Sequence, residues 1–294
     1  MPLDTARKIY RSELKLPGWF RSGRVLAKGS VFLSSGERLE AEALARRIDE
    51  IGEVDKILRE AATLNGFFAL VMEDDSNLLA LVDRVRSIPL FYSASEDGVL
   101  VRDALPSQYA KEAGLALDKY ALCEFFATGY VLSNRTVWLS WNQIEAGSYF
   151  HVGEREGRPT QDFYFRHFQR KRAPFSTASA FEELRIVEQG LKKRIRSVCA
   201  GRTAVVPLSG GYDSRYIVSL LKSAGVRDVL LYTYGRTDSH EVATAKKVAQ
   251  QVEYPIHVIE YNGDKWRSTL ASKSFASTCQ LKVTLMGSIR ERIF

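Results

Sequence analysis

Hydrophobic positions change rhythm part-way along this chain. In the first half they arrive in blocks. Phe67-Phe68-Ala69-Leu70-Val71-Met72 and Leu78-Leu79-Ala80-Leu81-Val82 flank the polar run from Glu73 to Asn77, which predicts a hairpin with a polar turn. A second hairpin is predicted from Pro89-Leu90-Phe91-Tyr92 and Val99-Leu100-Val101, around Ser95-Glu96-Asp97-Gly98. Ahead of both, a helix is expected from about Ala41 to Leu58. Its Leu44, Ile48, Ile51 and Leu58 partly follow helical spacing, and Gly52 interrupts it. Another helix is expected from Asp118 as N-cap, through Leu122 and Phe126, to Gly129 just past its end.

From Gly153 to about Ser179 the chain turns polar and irregular, with Gly, Pro, Arg and Ser. That texture predicts a linker over 153–179, between one domain at 1–152 and a second at 180–294. Ser179 and Glu182 resemble a capping box, and the helix they open sets Leu184, Val187, Leu191, Ile195 and Val198 along one stripe. Strand and helix then alternate: strand 203–208, helix 213–224, strand 228–234, helix 240–252, strand 256–261. Such alternation predicts a parallel sheet with right-handed crossovers. The fold class expected is therefore α/β, with a sheet-rich α+β domain followed by a parallel α/β domain.

Candidate chemistry gathers at the end of the first of those strands. The apolar run Thr203-Ala204-Val205-Val206-Pro207-Leu208 leads into Ser209-Gly210-Gly211-Tyr212-Asp213-Ser214, then a helix carrying Ile217, Leu220 and Leu221. This order aims backbone N–H groups and a helix N-terminus at one point, which suits a polyphosphate. Gly210 and Gly211 let the backbone approach without a Cβ in the way. Ser209 and Ser214 add hydroxyl donors, and Asp213 adds a carboxylate able to hold Mg²⁺. No Gly-x-x-x-x-Gly-Lys-Ser/Thr occurs, so this is not the Walker loop. An ordinary glycine-rich strand–helix turn shares the same outline. In parallel sheets ligands bind beyond the carboxyl ends of the strands, where Ser209 and Tyr234-Gly235 both fall.

Composition narrows the classes. A chain of 294 residues is long enough for two modest domains with separate cores. At 45% hydrophobic and 26% charged, it has the profile of an ordinary soluble globular protein. Part of the net charge of +7 lies in Arg166-His167-Phe168-Gln169-Arg170-Lys171-Arg172, and more in Lys192-Lys193-Arg194-Ile195-Arg196. A basic stripe can bind nucleic acid, but this one lacks interleaved stacking aromatics beyond Phe165 and Phe168. A solvated linker and a polar helix face are the preferred explanation, with no nucleic-acid partner. Cys123, Cys199 and Cys279 form no C-x-x-C pair, and His151, His167, His240 and His257 show no metal-ligand spacing. No apolar run approaches ~18 residues, and Met1 to Lys8 lack the apolar core of a signal peptide. No membrane partner and a reducing cytoplasm are expected.

The order Ser-Gly-Gly-x-Asp-Ser at 209–214 resembles the PP-loop of ATP pyrophosphatases. A wider set of residues resembles the asparagine synthetase family. Asn65-Gly66-Phe67-Phe68-Ala69 and Asp83-Arg84-Val85-Arg86-Ser87-Ile88-Pro89-Leu90-Phe91-Tyr92 are similar to two stretches of its glutaminase-type domain. Tyr130-Val131-Leu132, Arg135-Thr136-Val137-Trp138 and Ile144-Glu145-Ala146-Gly147-Ser148-Tyr149 are similar to the connector into its synthetase domain. Thr233-Tyr234-Gly235, with Glu241, Ala245, Lys246 and Ala249, resemble the second strand and helix of that domain. The resemblance implies a shortened Ntn-hydrolase-like domain followed by a partial PP-loop ATP pyrophosphatase domain. It implies that Leu208, Ser209, Gly210, Gly211, Asp213 and Ser214 hold the ATP phosphates, that Asp213 binds Mg²⁺, and that Tyr234 and Gly235 line the adenosine pocket through backbone groups. The reaction implied is adenylation of a small carboxylate, aspartate or an analogue, with release of pyrophosphate. Ammonia or another amine then displaces AMP.

Two departures shape the expectation. The family's glutaminase uses an N-terminal cysteine, whereas Met1-Pro2 opens this chain and the earliest cysteine is Cys123, inside a predicted helix and read as a small core residue. The family's Asn-Gly-Glu oxyanion segment and Ser-Asp glutamine-binding pair are also not found, so no catalytic glutaminase residue is named and a degenerate amidotransferase-like domain is expected. The family also continues well beyond the equivalent of Phe294, so a truncated chain is expected, with a second chain as one source of the remainder. A three-stranded half-sheet would expose an apolar edge. Three functions stay open: an asparagine synthetase-like ligase, an amide ligase with another acceptor, and a truncated nucleotide-binding or interaction protein without catalysis.

Overall fold

A computed structural model describes residues 9–105, 116–153, 159–167, 176–261 and 263–270. Met1 to Lys8, Phe168 within the basic stretch, Cys279 and the segment 272–294 lie outside the described residues. The chain folds into two compact units, with described residues 9–167 in the first and 176–270 in the second.

The first unit is a helix–sheet–sheet stack. Its elements in order are β1 (Ile9–Glu13), β2 (Trp19–Ser22), β3 (Val25–Phe32), β4 (Arg38–Glu40), α1 (Ala41–Ile51), α2 (Val54–Thr63), β5 (Asn65–Glu73), β6 (Asn77–Val82), β7 (Phe91–Ser95), β8 (Gly98–Arg102), α3 (Lys119–Thr128), β9 (Asn142–Gln143), β10 (Ser148–Gly153) and β11 (Thr160–Phe163). An antiparallel sheet runs β11-β10-β6-β5-β3-β2, with β4 also on β3. A second sheet runs β1-β8-β7-β9, and its β1–β8 pair is parallel.

β5 and β6 sit at the centre of this stack, so both their faces are buried. Phe68, Leu70, Met72, Leu79 and Leu81 pack with Leu44, Ile48, Ile57 and Leu64 of the helical layer. Ala69, Val71, Leu78, Ala80 and Val82 pack with Tyr92, Val99, Val101, Ile144 and Phe150 on the other side. A strand covered twice reads as an unbroken apolar run, which is the pattern that both segments show. Their turn is held by Asp74, whose Oδ1 accepts from the backbone N–H of Ser76 and Asn77 at 3.0 and 2.9 Å.

The helix expected across 41–58 is two helices. Gly52 adopts a left-handed conformation, its N–H closes α1 on the Ile48 carbonyl, and α2 starts afresh at Val54. α3 has the expected ends: Asp118 accepts from the N–H groups of Tyr120 and Ala121, and Gly129 closes on Phe125. β11 falls inside the stretch expected as a linker. It pairs antiparallel with β10, from Ser148–Phe163 to His151–Thr160.

The second unit comprises α4 (Thr177–Cys199), β12 (Ala204–Pro207), α5 (Tyr212–Ser223), β13 (Val229–Gly235), α6 (His240–Val252), β14 (Ile256–Glu260) and α7 (Gly263–Leu270). Its three strands are parallel in the order β12-β13-β14. Val206, Leu231 and Val229 face Val218 and Leu221 of α5 and Ala245 and Ala249 of α6. On the opposite face Val205 is 58% exposed and Leu230 and Ile259 are each 39% exposed. Among the described residues of this unit nothing packs on that face, where parallel sheets are ordinarily covered on both.

α4 corrects the expectation for its start and its stripe. Its cap is Ser176, whose hydroxyl accepts from the Ser179 N–H at 3.1 Å, so the helix begins one turn before the anticipated capping box. Leu184 and Val187 are exposed, and only the carboxyl end, through Ile195 and Cys199, packs on the core. Helical periodicity reported an amphipathic surface, not a buried one.

Candidate functional site

The candidate site forms where β12 ends. Leu208 is buried and its N–H donates to the Tyr232 carbonyl at 2.8 Å, so the chain stays in register with β13 up to the turn. It then leaves the sheet through Ser209 and enters α5 at Tyr212.

Ser214, in the first turn of α5, folds this loop back on itself. Its Oγ accepts from the Ser209 N–H at 3.1 Å and lies 3.0 Å from Ser209 Oγ. Ser209 Oγ in turn accepts from the Gly211 N–H at 3.2 Å. The N-cap of α5 is Gly211, which brings no capping side chain, so the first-turn N–H groups of α5 are left to solvent or a ligand. Asp213 is the acid of that first turn.

Neither Gly210 nor Gly211 has a positive φ, so backbone conformation does not require glycine at either place. At Gly211 a Cβ would stand 3.3 Å from Ser209 Oγ, so that hydroxyl would have to shift by a few tenths of an ångström to admit it. Gly210 lies over the start of α6, where a Cβ would meet Thr244 and the Glu241 Cα at 3.8 and 3.9 Å. Gly235 is different. Its φ of 145° is open to glycine alone, and it turns the chain off β13 toward α6.

These elements surround a cavity of about 400 Å³. Of the residues expected at the site, Leu208, Ser209, Asp213, Ser214 and Tyr234 line it. Gly210, Gly211 and Gly235 do not line it and serve as the backbone joints around it. The cavity also recruits Val206, Pro207, Ile217, Tyr232, Thr233 and Glu241, which the sequence reading did not place there. Register was the missing signal: Pro207 pairs with Tyr232, and that pairing carries β13 alongside the loop. Asp213 and Glu241 are the carboxylates of the cavity wall. Among the described residues no group of three or more His, Cys, Asp or Glu is set to hold a metal.

Polar clustering in the first unit has a structural character. Asp83 is fully buried and its carboxylate accepts from the N–H groups of Phe68, Val85 and Ser87 at 3.2, 2.9 and 3.0 Å, and from the Ser87 hydroxyl. Its own carbonyl accepts from Arg86 and Gly147. Asp83 thereby ties the turn after β6 to the strand beside it. Cys123 corrects an expectation: it is exposed on α3 and is not a core residue. Cys199 is partly buried, and burial pushes its thiol pKa up.

Residues 26–164 match the model of a glutamine amidotransferase domain. The first unit thus contains a glutamine amidotransferase-type domain. No curated protein matches the chain. Among solved structures, the chain is similar to glutamine phosphoribosylpyrophosphate amidotransferase from B. subtilis, complexed with ADP and GMP. The identity is 14%, the TM-score 0.32, and the match covers 83% of this chain and 73% of that one. It is also similar to a structure described as the allosteric regulatory enzyme of purine biosynthesis, at 14% identity and a TM-score of 0.30, over 83% of this chain and 62% of that one. Among the described residues, no helix is long and apolar enough to cross a membrane.

Proposed function

We propose that the second unit binds ATP with Mg²⁺ at Ser209–Ser214, and that the chain is an ATP-dependent, amide-forming ligase of asparagine synthetase type. One observation carries this reading: two hydroxyls, an uncapped helix N-terminus and a carboxylate converge on one cavity at the carboxyl end of a parallel strand. The Ser209 and Ser214 hydroxyls and the first-turn N–H groups would donate to phosphate oxygens as negative charge builds on the departing pyrophosphate. Bound Mg²⁺ would neutralise part of that charge, with Asp213 as its protein ligand. A carboxylate substrate attacks the α-phosphorus, pyrophosphate leaves, and an amine then displaces AMP from the acyl-adenylate to form the amide. The amidotransferase-type domain ahead of the site supports an amide-nitrogen reaction.

The nitrogen would come from ammonia or another amine and not from glutamine hydrolysed by this chain. Burial holds the thiol of Cys199 toward its protonated form, so Cys199 is not poised as a thiolate nucleophile.

The bare sheet face favours a second reading, a nucleotide-binding protein that works with a second chain covering Val205, Leu230 and Ile259. Isothermal titration with ATP–Mg²⁺, followed by AMP and pyrophosphate assays with aspartate and ammonia, separates the two. Binding with turnover supports the ligase, binding without turnover supports the second reading, and no binding by folded protein overturns both.

A further inference from the structure

α4 carries an apolar seam that the second unit covers only at one end. The helix runs 23 residues, from Thr177 to Cys199, a length of about 34 Å, and none of its residues is buried. Its carboxyl end is anchored. Ile195 and Cys199 pack on the core, and Arg196 Nε donates to the Ala224 carbonyl at 2.9 Å. Toward the amino end the apolar side chains stand in solvent: Phe181 is 63% exposed, Leu184 61% and Val187 56%. Helices in water are held chiefly by packing of an amphipathic face, so this face is built to be covered.

Spacing and charge together say by what. Leu184, Leu191 and Val198 recur at seven-residue intervals, and Ala180, Val187 and Arg194 fill the alternate places. That is the seam of a helix that pairs with another helix. The charges are divided along the same helix. Glu182, Glu183 and Glu188 precede Gly190, with Arg185 among them, while Lys192, Lys193, Arg194 and Arg196 follow it. A parallel partner of the same sequence would set like charges side by side. An antiparallel copy lays the acidic half of each helix along the basic half of the other, and a two-fold axis makes both contacts at once.

We propose that the chain forms a homodimer through antiparallel pairing of α4 with α4 of a second copy. Matching the two seams puts the axis beside Gln189. Each copy then sets Val187 against Leu191, Leu184 against Arg194 and Ala180 against Val198 of the other. The stem of Arg194 covers Leu184 of the second copy, and its guanidinium meets Glu183 there. Glu188, close to the axis, is neutralised within its own helix by Lys192, whose Nζ lies 2.6 Å from its Oε1. The seam needs no nucleotide, so this inference stands apart from the ligase reading.

The test is analytical ultracentrifugation of the full chain without nucleotide. Wild type is expected to approach twice the mass of one chain as its concentration rises through the micromolar range. Val187→Glu puts a charge into the seam and should leave a monomer. Arg194→Glu sets an acid against Glu183 of the second copy and should weaken the dimer about tenfold or more. Adding Glu183→Arg to that variant should restore the wild-type affinity. Cooperative thermal melts show that each variant is folded. Wild type that stays monomeric, or a dimer unchanged in folded Val187→Glu, overturns the seam. A double variant no tighter than Arg194→Glu alone overturns the antiparallel register, and the proposal with it.

Discussion

The hydroxyl oxygens of Ser209 and Ser214 lie 3.0 Å apart, one at the end of a strand and the other in the first turn of the next helix. The pair closes the loop before any ligand enters, so the cradle is organised in advance. Ser209→Ala removes one donor to phosphate and one acceptor for the Gly211 N–H. ATP–Mg²⁺ affinity should fall by roughly 1.5–3 kcal/mol, the range for a hydrogen bond to a charged group. Ser209 is exposed, so the unfolding midpoint should barely move. Calorimetric titration beside a thermal melt checks both, and an unchanged affinity would remove Ser209 from the site.

Asp213→Ala should act through the metal. With tripolyphosphate as ligand, wild-type affinity is expected to rise with added Mg²⁺, and the variant should show little of that rise. Equal Mg²⁺ dependence in the two proteins would rule out the metal role of Asp213.

Gly29→Ala tests the first unit. Gly29 has φ +95°, and a Cβ there would collide with the Phe67 carbonyl of the neighbouring strand. Backbone strain and overpacking act together, and a loss of about 3 kcal/mol is expected in urea unfolding. A loss below about 1 kcal/mol would mean that β3 and β5 can separate to admit the methyl.

How far the sequence revealed all this depended on burial. β5 and β6 were legible because both faces are covered and their apolar runs are unbroken. β1, with Arg11, Ser12 and Glu13 in five residues, carries little apolar signal and went unread. β11 is polar for the same reason, being at the rim of its sheet. The Ser209–Ser214 loop was legible because its parts are adjacent in the chain. Glu241 as a wall residue was not, since only the packing of the start of α6 beside Gly210 brings it there.

Acid should weaken the first unit through Asp74. Burial opposes ionisation of this carboxyl, but hydrogen bonds from Ser76, Arg24 and Asn77 outweigh it and hold the pKa below the usual 3.8. A depressed folded-state pKa gives stability that is present above the unfolded value and lost as pH falls through the folded one. Asp74→Ala should therefore cost roughly 1–2 kcal/mol at pH 7, with the gap to wild type narrowing below about pH 3.8. Urea titrations at pH 7 and pH 3 measure it; a gap that stays constant would show that the ionised form is not what the turn requires.

Glutamate release from glutamine should not exceed a protein-free control, and Cys123→Ala should leave that result unchanged. Release that thiol alkylation abolishes would restore a glutaminase to this chain.

The parallel pairing of β1 with β8 has a consequence for biosynthesis. Glu13 and Arg102, which join the two strands through hydrogen bonds of 2.9 and 2.7 Å, are 89 residues apart. At a ribosomal rate of about 5–20 residues per second, β1 waits on the order of 4 to 18 seconds for its partner to be made. The hairpin of β5 and β6 can close within that interval. β1 is thus placed only after the β5–β6 hairpin that follows it in the chain, and a slowed ribosome between β1 and β8 would lengthen the time for which β1 stays open to other chains.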